Sequence, residues 1–233
     1  MILDDIVKTK MKELARRKRN LSLTRLKEQV AALDKKPLNL AAALKGDDLR
    51  LIAEVKKASP SRKEIGIRTV FNILGPMTNP AGAQAQLLGV FDEELTLKMA
   101  EVLSLLGCRH ALVVHGEDGL DEVTLGGKTT VCELKGGEIS RYQVDPDDFG
   151  FPRTELTRLR GGPPQENADI LRRVLKREKG PYRDIVVINA AAALVAGDMA
   201  DDLGKGTRLA ADAIDSGRAL DKLEKLISLS RRL

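Results

Sequence analysis

A chain of 233 residues with 42% hydrophobic and 31% charged residues has the makeup of a globular protein of one domain or two small ones. Its net charge of +5 invites a nucleic-acid reading, but 3% aromatics and no Trp leave little to stack on bases, and the core must come from Leu, Val, Ile and Ala. No apolar run reaches the roughly 18 residues that span a bilayer, and acids follow Met1 where a signal peptide would carry an apolar region, so a cytoplasmic protein is expected.

The first elements are helical. Leu3, Ile6, Val7, Met11 and Leu14 fall near helical spacing over 2–19, and Leu23, Leu26, Val30 and Leu33 predict an inward face over 23–33. The basic run "KTKMKELARRKRN" lies on the first of these and reads as a solvated helix face. A short helix ends at Gly46, and "LRLIAEV" predicts a strand that breaks at Ser59-Pro60. One strand makes no sheet, so this portion does not form a domain by itself.

From residue 67 the pattern becomes regular. A helix is expected over 67–74, then a Pro/Gly-rich loop, "GPMTNPAGA". "QLLGVF" predicts a strand, and "DEELTLKMAEVLSLLG" a helix with Asp92 at its start and Gly107 as its stop. "HALVVHG" is the next strand, giving a strand–helix–strand unit with a parallel pair. "KTTVCELKGGEISRYQV" reads as a hairpin turning at Gly136-Gly137. "NADILRRVLKRE" predicts a helix, "DIVVIN" a buried strand, "AAAALVAGDMA" a small-residue helix, and two helices over 203–216 and 217–230 finish the chain. The fold class is α/β, a mainly parallel sheet flanked by helices.

In such sheets ligands bind beyond the carboxyl ends of the strands. Asp118, Asp121 and Glu122 follow "ALVVH" directly, and adjacent carboxylates there suit magnesium, which takes one or two carboxylates plus substrate phosphates. An ordinary acidic turn is the competing reading. "GGKT" at 126–129 lacks the earlier glycine of a phosphate-binding loop, with Glu122 in its place, and reads as a turn before a strand. His110 and His115 have no partners at zinc spacing and read as structural; Cys108 and Cys132 read as buried thiols. Arg62, Lys63 and Arg68 are loop cations that could hold a carboxylate.

"IRTVFNILGPMTNPAGAQAQLLGV", "VVHGEDGLDEV", "ENADILRRVL", "VVINAAAAL" and "AIDSGRALDKLEKL" together resemble the C-terminal part of anthranilate phosphoribosyltransferase, over about residues 60–233. The resemblance implies a tryptophan-biosynthetic pentosyltransferase that joins anthranilate to phosphoribosyl pyrophosphate with Mg2+ and releases pyrophosphate. It implies metal binding by Asp121 and Glu122, a carboxylate contact by Arg62, and Pro76 in the anthranilate channel. The family's "GTGGD"-type loop, "KHGN"-type segment and dimerising helical domain are not found in these 233 residues, so no dimer is carried over. Residues 1–61 resemble the N-terminus of indole-3-glycerol phosphate synthase, a (β/α)8 barrel, through "ILDDIVKTKMKEL", "LAAAL" and "LIAEVKKASPS". That second resemblance implies that Glu54 and Lys56 match active-site residues, here vestigial, and that Ser59 matches a substrate contact. The expected organisation is therefore a barrel fragment, 1–61, joined to a partial transferase domain, 62–233. A catalytically inactive fusion of two pathway enzymes, or a residual synthase-like (carboxy-lyase) assignment carried by the N-terminal segment alone, is the alternative. Neither nucleic acid nor membrane is expected as a partner.

Overall fold

The computed structural model describes residues 11–12, 14–32, 75, 77 and 82–230, and the chain forms two compact units, Met1–Leu51 and Ile52–Leu233. The expected elements over 34–74, including the strand "LRLIAEV" and the helix over 67–74, lie outside the described residues, as do Leu3, Ile6, Val7 and Leu33. In the first unit, residues 14–20 are helical and α1 runs Leu23–Ala31. The Ser22 hydroxyl accepts from Arg25 N–H and caps α1. The expected inward face is overturned: Leu23, Leu26 and Val30 are exposed, as are Met11 and Leu14. Periodicity says which residues share a face, not whether anything covers it.

The second unit begins, among the described residues, with Gly75 and Met77 in helical geometry where a loop was expected. Its sheet has four strands in the order β1 (Ala85–Gly89), β2 (His110–Gly116), β3 (Thr129–Lys135), β4 (Glu138–Val144). β1 and β2 are parallel, as the strand–helix–strand pattern predicts. The other two pairings are antiparallel, so the described sheet is mixed rather than mainly parallel. The α/β class holds, with helices on both faces. The parallel pair requires a crossover, and α2 (Glu94–Leu105) supplies it. Asp92 Oδ1 accepts from Glu94 N–H at 3.0 Å at its start. At its end Gly107 takes a positive φ of 83°, with Cys108 N–H reaching Leu103 O at 2.9 Å and Gly107 N–H reaching Ser104 O at 3.0 Å. These two bonds satisfy carbonyls that the last turn would otherwise leave open. The β3–β4 hairpin turns at Gly136 and Gly137, both at positive φ, as a two-residue turn matched to strand twist demands.

β2 is one of two interior strands of the described sheet and is buried on both faces. Its Ala111 and Val113 pack with Met99, Ala100 and Leu103 of α2 and with Cys132 and Leu134 of β3. Its Leu112 and Val114 join the larger core with α4 (Pro181–Ala196) and α5 (Leu203–Asp215). The strand's alternation thus feeds two cores at once. Burying Val113, Val114 and Leu112 contributes about 1.5–3 kcal/mol each. α3 (Pro164–Leu175) and α6 (Arg218–Ser230) pack against this helical layer and each other.

The predicted strand "DIVVIN" is instead the first half of α4, which continues without a break through the alanine run. Its buried residues, Arg183, Val187, Ile188, Ala191, Ala192, Val195 and Ala196, recur at helical spacing over all 16 residues. A six-residue window of β-branched residues hides that period. Pro181 at the first helical position fixes the start. The remaining helix expectations hold at α3, α5 and α6. Asp202 caps α5 by accepting from Lys205 N–H at 2.7 Å.

Candidate functional site

The loop from Gly116 to Lys128 leaves the carboxyl end of β2 and crosses that of β1. Its path is fixed by many short bonds. Gly116 N–H donates to Leu120 O at 2.8 Å, Glu117 N–H to Lys128 O at 2.9 Å, and Leu120 N–H to Asp118 Oδ1 at 3.2 Å. The Thr124 hydroxyl donates to the other oxygen of Asp118, and Gly126 N–H donates to the Thr124 hydroxyl at 2.9 Å. Asp118 is therefore spent on loop structure. The "GGKT" glycines lead into β3, as a turn.

Asp121 and Glu122 stand exposed on this loop. Directly after them the chain dives into the core at Val123 and Leu125, both buried. Two features hold the pair at the strand ends. Gly89, the last residue of β1, lies so close to the loop that a Cβ there would sit 1.6 Å from the Asp121 carbonyl oxygen. Only a residue without a side chain permits that approach. On the other side Asn189 of α4 clasps Val123: its Oδ1 accepts from Val123 N–H at 2.9 Å, and its Nδ2 donates to Val123 O at 2.8 Å and to Ile185 O at 3.0 Å. All three polar contacts of the amide are thus made to backbone. His115, on β2, ties that strand to the residue that follows β1. Its Nδ1 lies 2.8 Å from Val90 O, and since a carbonyl only accepts, that nitrogen carries the proton.

The carboxyl of Glu122 is pushed up from its ordinary value, first by loss of solvation against the surrounding protein and then by the charge of Asp121. A bound cation would relieve both. Among the described residues no set of three or more His, Cys, Asp or Glu side chains is arranged to hold a metal. Two adjacent exposed carboxylates fit Mg2+, which keeps waters and shares substrate oxygens.

The two histidines sit at opposite ends of β2. His110 is buried, with Nδ1 2.6 Å from Asp198 Oδ1 and Nε2 2.9 Å from Glu133 Oε1. Tyr142 OH donates to Glu133 Oε2 at 2.8 Å, and Arg109 pairs with Asp198. This network lies at the amino end of β2, away from the acid loop, and both rings serve structure. Cys108 and Cys132 are buried free thiols, and burial pushes the Cys108 thiol up. Glu54, Lys56, Ser59, Arg62, Lys63, Arg68 and Pro76 lie outside the described residues. Sequence reasoning missed Asn189 and Gly89. Asn189 was in view within "VVINAAAAL", where a lone amide amid an apolar run is a signal in itself, since a polar group in such a run needs partners.

Residues 49–220 match the family described as glycosyl transferase family, a/b domain. The chain belongs to that family. Among curated members, an anthranilate phosphoribosyltransferase of Thermoanaerobacter sp. (strain X514) is 52% identical over 179 residues, covering 77% of this chain and 53% of its own length. That of Methanocorpusculum labreanum is 53% identical over 176 residues, covering 76% and 52%. The crystal structure of the Thermus thermophilus enzyme superposes with a TM-score of 0.65 at 46% identity, over 71% of this chain and 49% of that one. The Saccharomyces cerevisiae enzyme in complex with PRPP and Mg gives a TM-score of 0.65 at 33% identity, over 72% and 49%. This member of the family spans about half the length of the relatives it matches. Its resemblance to their C-terminal part is thereby established.

Proposed function

We propose that this chain carries the metal-binding part of a phosphoribosyltransferase site of tryptophan biosynthesis, in which Asp121 and Glu122 hold Mg2+ against the pyrophosphate of phosphoribosyl pyrophosphate and anthranilate is the acceptor. The observation that carries the reading is the acid pair itself: exposed, adjacent, and pinned across the carboxyl end of the parallel pair by Gly89 and Asn189. Bound Mg2+ would neutralise the leaving pyrophosphate oxygens as the bond to the ribosyl carbon breaks. The protein's own part is positional. A loop fixed at both ends presents its carboxylates without reorganising, and the remaining barrier falls with the placement of the amine near the ribosyl carbon. Arg62, Pro76 and Ser59 belong to this proposal as substrate contacts, by their match to the family pattern.

A second reading is a chain without turnover, the product of joining residues 1–61, a synthase-like stretch with vestigial Glu54 and Lys56, to residues 62–233. The synthase-like motifs of residues 1–61, ahead of the transferase-like ones, are what supports it. Anthranilate fluorescence separates the two. Incubation with phosphoribosyl pyrophosphate and Mg2+ is expected to quench it, and Asp121→Asn to abolish the quench. No quench, together with no Mg2+-dependent thermal shift on adding phosphoribosyl pyrophosphate, overturns the first reading.

A further inference from the structure

A cleft of about 230 Å³ opens at the start of α4, between the 3-10 turn Leu156–Leu159, α3 and the segment from Glu178 to Arg183. Its wall carries Arg158, Arg173, Lys179 and Arg183 against a single carboxylate, Glu178. None of these residues belongs to the acid loop. α4 is a 16-residue helix whose N-cap, Gly180, offers no side-chain bond, and whose first residue, Pro181, has no N–H. Arg183 and Asp184 N–H both bond Gly180 O at 3.0 Å, while Tyr182 N–H has no partner among the described residues. Such a helix start attracts anions through its dipole and its spare donor.

The second observation is Arg183. Its side chain is 7% exposed, one Nη donates to Asp215 Oδ2 at 2.9 Å, and its buried Nε has no hydrogen-bond partner among the described residues. A buried guanidinium with an idle donor is a costly arrangement, and the residue that carries it lines the cleft. The other cations are free to contribute. Arg158 has no ion-pair partner among the described residues. Arg173 and Lys179 hold only long, exposed pairs, to Glu178 at 3.3 Å and Asp215 at 3.6 Å, of the kind that contribute little. Asp215, which pairs with Arg183 and Lys179, Glu178 on the wall and Asp184 in the first turn of α4 are the carboxylates a ligand must outcompete.

We infer that this cleft binds a small phosphate group, held by Arg158, Arg173, Lys179 and Arg183 at the start of α4. Its size suits one phosphate with a short substituent, and a dianion outbids a monoanionic carboxylate for paired guanidinium groups. The inference does not rest on the transferase reading.

The test is a titration of the full chain with inorganic phosphate and, separately, with glycerol phosphate. It is run at constant ionic strength against chloride, with EDTA and no Mg2+. Melting temperature and the Arg183 Nε–Hε cross-peak are followed. Saturable shifts in both are expected. Arg158→Ala and Arg173→Ala should each weaken binding about tenfold, the value of one charge-assisted contact. Asp121→Asn should leave it unchanged, so the acid loop is not the site being read. Equal binding of glycerol phosphate identifies a phosphorylated small molecule; binding of inorganic phosphate alone identifies the free anion, and either supports the site. A response no greater than that to chloride, or unaltered titrations in both arginine variants, overturns it.

Discussion

Asn189 shows how one side chain can set the geometry of a site it does not enter. Its amide makes three bonds, all to backbone, and two of them hold Val123, the residue next to Glu122. Truncation to alanine leaves a buried N–H and a buried C=O without partners, at about 1–3 kcal/mol for each group so stranded. Asn189→Ala is therefore expected to lower the melting temperature and to remove hydrogen-exchange protection at the Val123 amide. Normal protection at Val123 in that variant would mean the loop is held elsewhere. The carboxylates themselves were legible in the sequence because they directly follow an apolar strand. Their clasp was not, because Asn189 is 66 residues further along and only the fold brings it back.

At the scale of elements, the crossing of α4 and α5 is set by a small residue. A Cβ on Gly206 would lie 2.8 Å from Ala191 O and 3.0 Å from its Cα, both backbone atoms of the facing helix. Gly206→Ala gains about 1 kcal/mol of helix propensity but forces two helices apart, and overpacking of this kind costs about 1–3 kcal/mol. A net loss in urea denaturation is expected. Gly204 is the control. A Cβ there meets no backbone of the facing helix, only the capping Asp202 Oδ1 at 3.2 Å and Arg208 at 3.9 Å, so Gly204→Ala should range from neutral to stabilising by up to about 1 kcal/mol. Equal losses in the two variants would remove the crossing as the cause. α4 is also where element assignment failed. Val186, Val187 and Ile188 favour a strand locally, yet sixteen residues of helical burial decide the matter. By contrast the hairpin and the end of α2 were readable because glycine at positive φ is a local requirement, satisfied within a few residues.

For the whole molecule, ion pairs set the response to acid. Glu93 is held below its ordinary value by the Thr130 hydroxyl and by Arg141, and Asp198 by Arg109 and His110. Asp215 is pushed up by desolvation, but Arg183 and Lys179 prevail and draw it down. A carboxyl held low in the folded state stabilises it above the ordinary carboxylate value, and that stability is lost as pH falls through the folded value. Glu122 and Asp184 are pushed up, and act in the opposite sense at higher pH, above their ordinary values. The windows are separate. Melting temperature is expected to fall as pH drops below about 4, where the carboxyls held low lose their ion pairs. Asp198→Asn should flatten that fall. A slope unchanged by the substitution would place the acid sensitivity elsewhere. No helix among the described residues is long and apolar enough to cross a membrane.

The sequence by itself determined the α/β class, the parallel pair with its crossover helix, the hairpin, the family and the place of Asp121 and Glu122 after a strand. Each of these is written in a local period, a turn residue or a contiguous motif. Only the tertiary structure decided that α4 is a helix, that the described sheet is mixed, that the α1 face stays exposed, and that Gly89 and Asn189 fix the acid loop. Those outcomes depend on what packs against what across tens of residues, and burial and backbone approach are properties of the assembled core rather than of any window of the chain.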